Sequence, residues 1–447
     1  MQFKILALWT VGSLTSALAL TEPETAALTD WFATAPAARA ALPENLANAT
    51  LDSAAAAKTA REAVWSAYQA GARKLGWDKE IAAMPLTLEA IAALPADQRP
   101  KLAPSSTSAG EKSMPYFLVA KGTKPDGGWP LIISLHGGGG NAGAKGPHGW
   151  DVNTQEWQTQ LALFERIYPA NALYFIPRMA DDREGRWWYD YCQEMFDQII
   201  RRALLFRDVN PNRIYVMGIS EGGYAAYRLP ANQPDRWAAA GAMAAAEPMS
   251  TSPPENLGHV AFRCDIGAND TMFDRITLAR NYFKKLDELA KPDAANYVHH
   301  FGEQADKGHP IDYRPCPEWI VKQSRQPRPK QLTWTVQKLH STLNRHNFWL
   351  EIAAEPSTLP LHLTGSITGN TIALTATGAD DQATAAVKLR VVLDDELVDL
   401  DAPVKVTLNG KPVHEAKVAR KLAVMTRTLT DRGDPAMVFA AEIAIGE

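Results

Sequence analysis

The segment Arg213-Ile214-Tyr215-Val216-Met217-Gly218-Ile219-Ser220-Glu221-Gly222-Gly223 is the strongest constraint on how this chain can fold. An apolar, β-rich run ends at Gly218 and an alanine-rich, helix-prone run begins after Gly222, with Ser220 between the two glycines. A strand that reverses so sharply into a helix, with a strained residue at its apex, has no room for side chains two positions to either side. Ser220 is thereby pushed into the open, in the context of a nucleophile elbow.

A second glycine cluster lies upstream. Trp129 to Leu135 (WPLIISL) reads as a buried strand and flows into His136-Gly137-Gly138-Gly139-Gly140-Asn141, the HGGG type of oxyanion loop. A tetrahedral acyl intermediate carries a negative oxygen, and one preorganised donor to it is typically worth about 2.7–4 kcal/mol of barrier lowering. The expected donors are the N–H of Glu221 and one N–H from Gly138, Gly139 or Gly140. His136 is expected to hold the loop by hydrogen bonding, and Glu221 to contribute its backbone alone.

An acid and a base are then sought in the order serine, acid, histidine. Val260 to Gly267 reads as a core strand, followed by Ala268-Asn269-Asp270, a helix from about Ile276 to Ala290, a strand Tyr297 to Phe301, and then Lys307-Gly308-His309-Pro310. In an open parallel sheet the C-terminal strand ends share one edge, so Asp270 and His309 can meet Ser220 there. His309 would take the serine proton and Asp270 would fix its tautomer. Asp274 and Asp265 compete as acid, and His299 and His300 follow His309 as base. No metal or cofactor is called for.

These residues resemble the α/β-hydrolase superfamily, and the portion from about Lys112 to Lys322 is most similar to secreted esterases of the polyhydroxybutyrate depolymerase and feruloyl esterase type. The motifs HGGGG, GISEGG and GAND with the GHP histidine carry that resemblance. It implies a doubly wound, mostly parallel sheet and hydrolysis of a carboxylic ester through an acyl-enzyme on Ser220, with Asp270 and His309 completing the triad.

The 447 residues exceed the usual length of one domain, and a net charge of −4 without long basic runs gives no electrostatic case for nucleic acid. The first 19 residues read as a signal peptide, with a charged start, an apolar stretch and the small-residue site Ala17-Leu18-Ala19. A secreted or periplasmic protein without stable membrane insertion after cleavage is expected. Residues 20–113 read as an N-terminal helical region, notably Leu51 to Leu75, and 114–322 as the catalytic domain. After the polar, proline-bearing segment Lys322 to Lys330, residues 331–447 read as a β-sandwich-like domain, with a hairpin turning at Asn409-Gly410. Cys192, Cys264 and Cys316 are too few and too widely spaced for a disulfide framework.

Tryptophans concentrate near the motifs at Trp150, Trp157, Trp187 and Trp188. The cluster Trp187, Trp188 and Tyr189 precedes a helix from about Tyr191 to Phe206 and is the candidate substrate wall, with Arg183 and Arg186 as weaker candidates. A small-molecule or polymer-linked ester fits such a wall, whether aryl, hydroxyalkanoate or acetylated sugar. Two other function classes compete: a serine peptidase on the same fold and a binding protein without turnover. A peptidase of the prolyl-oligopeptidase type would bring a propeller with repeated blades, and the sequence shows no such periodicity.

Overall fold

The computed structural model describes residues 20–83, 87–98, 103–140, 143–292, 295–380, 382–384 and 387–446; the expected signal peptide and Asn141 lie outside them. The core is an eight-stranded sheet built of β1 (Ser105–Ala109), β2 (Lys112–Lys121), β3 (Trp129–Leu135), β4 (Ala172–Pro177), β5 (Val209–Ile219), β6 (Ala239–Met243), β7 (Ala261–Gly267) and β8 (His299–Gln304). Its order is β1-β2-β4-β3-β5-β6-β7-β8. Strand β2 runs antiparallel to both neighbours, and every pairing from β4 to β8 is parallel. This is the α/β-hydrolase arrangement.

Burial on both faces explains the near-continuous apolar runs of the central strands, because a parallel sheet is covered on both sides. Leu131, Ile133 and Leu135 of β3 point to a core shared with three helices, α4 (Asp190–Phe206), α5 (Glu221–Asn232) and α6 (Arg275–Ala290). Ile132 faces the other way, with Tyr174, Tyr215 and Met217, onto Phe164 of α3 (Thr154–Ile167) and onto Cys316 and Ile320. Each such aliphatic side chain is worth about 1.5–3 kcal/mol when fully buried. The three cysteines are all buried free thiols.

Residues 20–113 are mainly helical, with α1 (Glu22–Phe32) and α2 (Ala54–Lys74), but Ser105–Ala109 is β1 of the main sheet and so falls inside the range read as helical. The strand SSTSA is polar and lies at the sheet edge, where it carries no apolar run to announce it. The C-terminal region forms a five-stranded and a four-stranded sheet around one core that includes Trp334, Trp349, Leu363, Val391 and Ile443. Its hairpin turns at Asn409 and Gly410, with φ of 49° and 75° as a type I′ turn requires.

That region also contains α7 (Leu422–Arg432), which the alternating pattern around it does not announce. Helix α7 packs through Leu422, Met425 and Leu429 against Leu28, Phe32, Val64 and Tyr68 of the N-terminal helices, while Thr50–Leu51 pairs with Arg420–Lys421. The polar segment before residue 331 is not a solvated linker. Arg325 and Arg328 are buried in ion pairs with Asp434 and Asp394, so its charges staple the C-terminal sheets to the rest of the chain. Among the described residues no helix is long and apolar enough to cross a membrane.

Candidate active site

Ser220 stands at the C-terminal end of β5, near the point where the strand order reverses around β3. Its backbone is strained, with φ 51° and ψ −110°, a conformation that costs roughly 1–3 kcal/mol and persists only where surrounding packing imposes it. The glycines supply that packing. A Cβ on Gly218 would lie 2.2 Å from the backbone of Gly222, and one on Gly222 would lie 2.3 Å from the carbonyl oxygen of Leu135. Gly223 is equally confined, 2.6 Å from Ala245 Cβ. The N–H of Ser220 donates to Met243 O at 2.8 Å, which ties the elbow to β6.

Ser220 Oγ lies 3.2 Å from His309 Nε2, and His309 Nδ1 lies 2.7 Å from Asp270 Oδ2. Asp270 follows β7 and His309 follows β8, so all three side chains rise from one edge of the sheet. The second oxygen of Asp270 accepts from Arg275 at 2.9 Å, and Arg275 also donates to Tyr224 Oη at 2.6 Å. Burial alone would raise the Asp270 carboxyl, but the His309 hydrogen bond and the Arg275 guanidinium hold it below the usual aspartate value. The carboxylate therefore stays ionised and orients Nδ1–H, which leaves Nε2 facing the Ser220 hydroxyl as a hydrogen-bond acceptor. The His309 side chain is 41% exposed, so water reaches the imidazole.

The competing acids lie elsewhere. Asp265 sits within β7 and pairs with Arg263 through both oxygens at 2.6 and 2.8 Å. Asp274 is exposed, in the left-handed conformation, at the start of α6. His299, on strand β8, hydrogen-bonds Tyr297 O and Asp287 of α6, which places it outside the cluster around Ser220. Its neighbour His300 is an exposed residue of the same strand.

The glycine loop after β3 is held from behind by a neutral imidazole. Burial pushes His136 down to about 3, and its Nδ1–H donates to Gly137 O at 2.8 Å while Nε2 accepts from Met179 N–H at 3.2 Å. Of the expected donors, Gly139 is corrected: its N–H donates to Asp151 O at 2.8 Å, pinning the loop to the strand-like segment beyond it. Among the described residues the N–H groups of Gly138 and Glu221 find no acceptor, the latter because the first N–H groups of a helix have no intrahelical partner.

Glu221 contributes more than its backbone. Its fully buried carboxylate lies 3.3 Å from Arg186 Nε and 3.3 Å from His148 Nδ1, which joins the residue after Ser220 to two flanking loops. Beyond His148, Arg228 and Glu247 pair at 2.6 Å.

The expected aromatic wall is also corrected. Trp187 is fully buried and donates to His136 O at 3.0 Å, so it buttresses the glycine loop. Trp188 is buried beneath Arg228, whose guanidinium sits 4.0 Å above the ring. Tyr189 turns away and stacks on His340 of the C-terminal region at 4.3 Å. Three consecutive large side chains entering α4 gain more by burial in different directions than by sharing one wet face. Sequence reasoning missed Arg275 and Glu156. Glu156, on α3, brings its carboxylate against Gly137 and Gly139.

No family model matches the chain. Among curated proteins it is similar to "Putative esterase NocK" of Nocardia uniformis subsp. tsuyamanensis, 30% identical over 172 residues, covering 36% of this chain and 47% of that protein. The chain thus spans about half the length of the curated relative it matches. Solved structures similar to it include a thermostable esterase (20% identity, 50% of this chain and 63% of that one, TM-score 0.36). A Bacillus cereus carboxylesterase (17%, 47% and 94%, TM-score 0.34) and a ferulic acid esterase (14%, 49% and 98%, TM-score 0.33) are similar over the same extent of this chain.

Proposed function

We propose that this chain, an α/β-hydrolase by fold, is a serine hydrolase that cleaves a carboxylic ester through an acyl-enzyme on Ser220. The observation that carries the proposal is the continuous relay from Ser220 Oγ through His309 to Asp270, at 3.2 and 2.7 Å, on a strained elbow. The name of the Nocardia relative, an esterase, favours esters over amides.

In this reading Ser220 Oγ attacks the carbonyl carbon while its proton passes to His309 Nε2. The oxygen that becomes negative accepts from the N–H groups of Glu221 and Gly138. His309 then gives the proton to the departing alcohol oxygen as the C–O bond breaks, leaving the acyl group on Ser220. A water that loses its proton to the same imidazole attacks the acyl carbon, and His309 returns that proton to Ser220 Oγ as the acyl–serine C–O bond breaks and the acid leaves. Asp270 stays ionised throughout and steadies the imidazolium.

The test is covalent labelling by a fluorophosphonate probe of the wild type and of Ser220→Ala, followed by turnover of matched ester and peptide-amide chromogenic substrates. Labelling of the wild type alone, with esters cleaved faster, is the expected result. Equal labelling of the two proteins refutes the nucleophile, and faster cleavage of amides refutes the ester.

A further inference from the structure

Glu156 is a carboxylate that the relay above does not use. It follows Asn153, whose side chain caps α3 by accepting from the Glu156 N–H at 3.2 Å, so the helix start fixes its backbone beside the oxyanion loop. Its Oε1 lies 2.8 Å from where a Cβ on Gly139 would stand, and Oε2 lies 3.7 Å from the corresponding point on Gly137. That same point on Gly137 is 3.5 Å from Ser220 Cβ, so the carboxylate and the nucleophile flank one glycine of the loop.

No side chain among the described residues forms an ion pair or a hydrogen bond with this half-buried carboxylate. Burial holds the Glu156 carboxyl above its usual value, and His309 only partly offsets this. An unpaired carboxylate beside a loop that must stabilise an oxyanion opposes the reaction unless something positive arrives with the substrate. Glu156 and Ser220 flank Gly137, and Ser220 Oγ lies 3.2 Å from His309 Nε2, the group that returns the proton to the leaving alcohol, which sets that positive group on the alcohol side.

We propose that Glu156 is the recognition group for a cation on the alcohol portion of the substrate, so that the ester cleaved here carries an ammonium or guanidinium group on its leaving alcohol. This rests on Ser220 being the nucleophile. The pairing neutralises Glu156 as negative charge develops on the carbonyl oxygen, and it excludes esters with an anionic leaving group by repulsion. Glu156 acts by binding and takes no proton in the scheme.

The experiment measures the rate at which a fluorophosphonate labels Ser220 in the presence of choline or of its uncharged isostere 3,3-dimethylbutan-1-ol, at equal concentration and ionic strength. Choline is expected to slow labelling of the wild type about fivefold more than the isostere does. The difference disappears in Glu156→Gln, whose labelling without additive persists. Equal protection by the two alcohols, or protection by choline that survives in Glu156→Gln, overturns the proposal while leaving the nucleophile in place. Absence of labelling in the wild type overturns the reading beneath it. In Glu156→Asp the selectivity for choline is retained in part, which a purely structural role would not produce.

Discussion

Arg275 and Asp270 form a buried ion pair of 2.9 Å behind the imidazole of His309. The carboxylate therefore divides its charge between a guanidinium and an imidazole. Replacing Arg275 by Met leaves Asp270 to His309 alone. The Asp270 carboxyl then loses one of the groups that hold it down and moves back toward the usual aspartate value. Breaking a buried pair also costs stability, about 3 kcal/mol. Because Asp270 is held below its unfolded value, its contribution is present above the ordinary aspartate range and fades as pH falls through the lower folded value. The acid-unfolding midpoint of the variant should accordingly rise. An unmoved acid-unfolding midpoint in a folded variant would show that Arg275 only props the helix.

Asp270→Asn keeps the shape of the relay but lets the amide present the wrong partner to Nδ1, and a loss of about 10⁴ in kcat is expected. Asp274→Asn alters an exposed residue with no role in the cluster and should leave kcat within about a factor of 2. Steady-state turnover of the two variants decides the matter, and a larger loss in the second would mean that the loop rearranges during the reaction.

Gly222→Ala tests the steric account of the elbow. The new Cβ would stand 2.3 Å from Leu135 O, a backbone atom in the middle of the sheet, so α5 must separate from β3. A loss of about 3 kcal/mol in urea unfolding is expected. Gly308 serves as the contrast, since a Cβ there meets nothing within 4 Å. Gly308→Ala, beside His309, should stay within about 0.5 kcal/mol of the wild type. Equal stability of the two variants would remove the steric explanation for the glycine pair.

Local sequence carries the elbow, the glycine loop after β3 and the strand ends because each is a backbone demand: glycine where a Cβ has no space, an apolar run where both faces are covered. Asp270 and His309 are legible through topology, since parallel strands deliver their C-terminal ends to one edge. What is not legible depends on partners far along the chain. Arg275 looks like any arginine at a helix start until Tyr224 and Asp270 are placed around it. Trp187 and Trp188 look like a pocket wall because an aromatic pair near a motif gives no sign of whether it faces ligand or core. Helix α7 is hidden inside a β-rich region, and its apolar stripe is explained only by the N-terminal helices it meets, more than three hundred residues earlier.

Asp190, at the start of α4, anchors the C-terminal hairpin Lys338–Leu343 to the catalytic body. Its carboxylate accepts from the N–H groups of Ser341 and Thr342, each at 3.1 Å, from Thr342 Oγ1 at 2.7 Å, from Ser341 Oγ and from His340 Nδ1 at 2.8 Å. Burial alone would raise this carboxyl, yet the donors from Ser341, Thr342 and His340 bring it down to about 2. A depressed carboxyl stabilises the fold above its unfolded value, near pH 4, and that contribution is lost as pH falls toward 2. The side chain is 34% exposed, so solvent screening reduces the contribution to about 1 kcal/mol. Asp190→Ala should therefore destabilise the hairpin by that amount at pH 7, and the difference from the wild type should shrink between pH 4 and pH 2. Native-state hydrogen exchange reads this locally: the amides of Ser341 and Thr342 are expected to exchange about fivefold faster in the variant at pH 7, while those in β3 keep their wild-type rates. Unchanged exchange at Ser341 and Thr342 would mean that Tyr189 stacking on His340, and not the carboxylate, holds the hairpin in place.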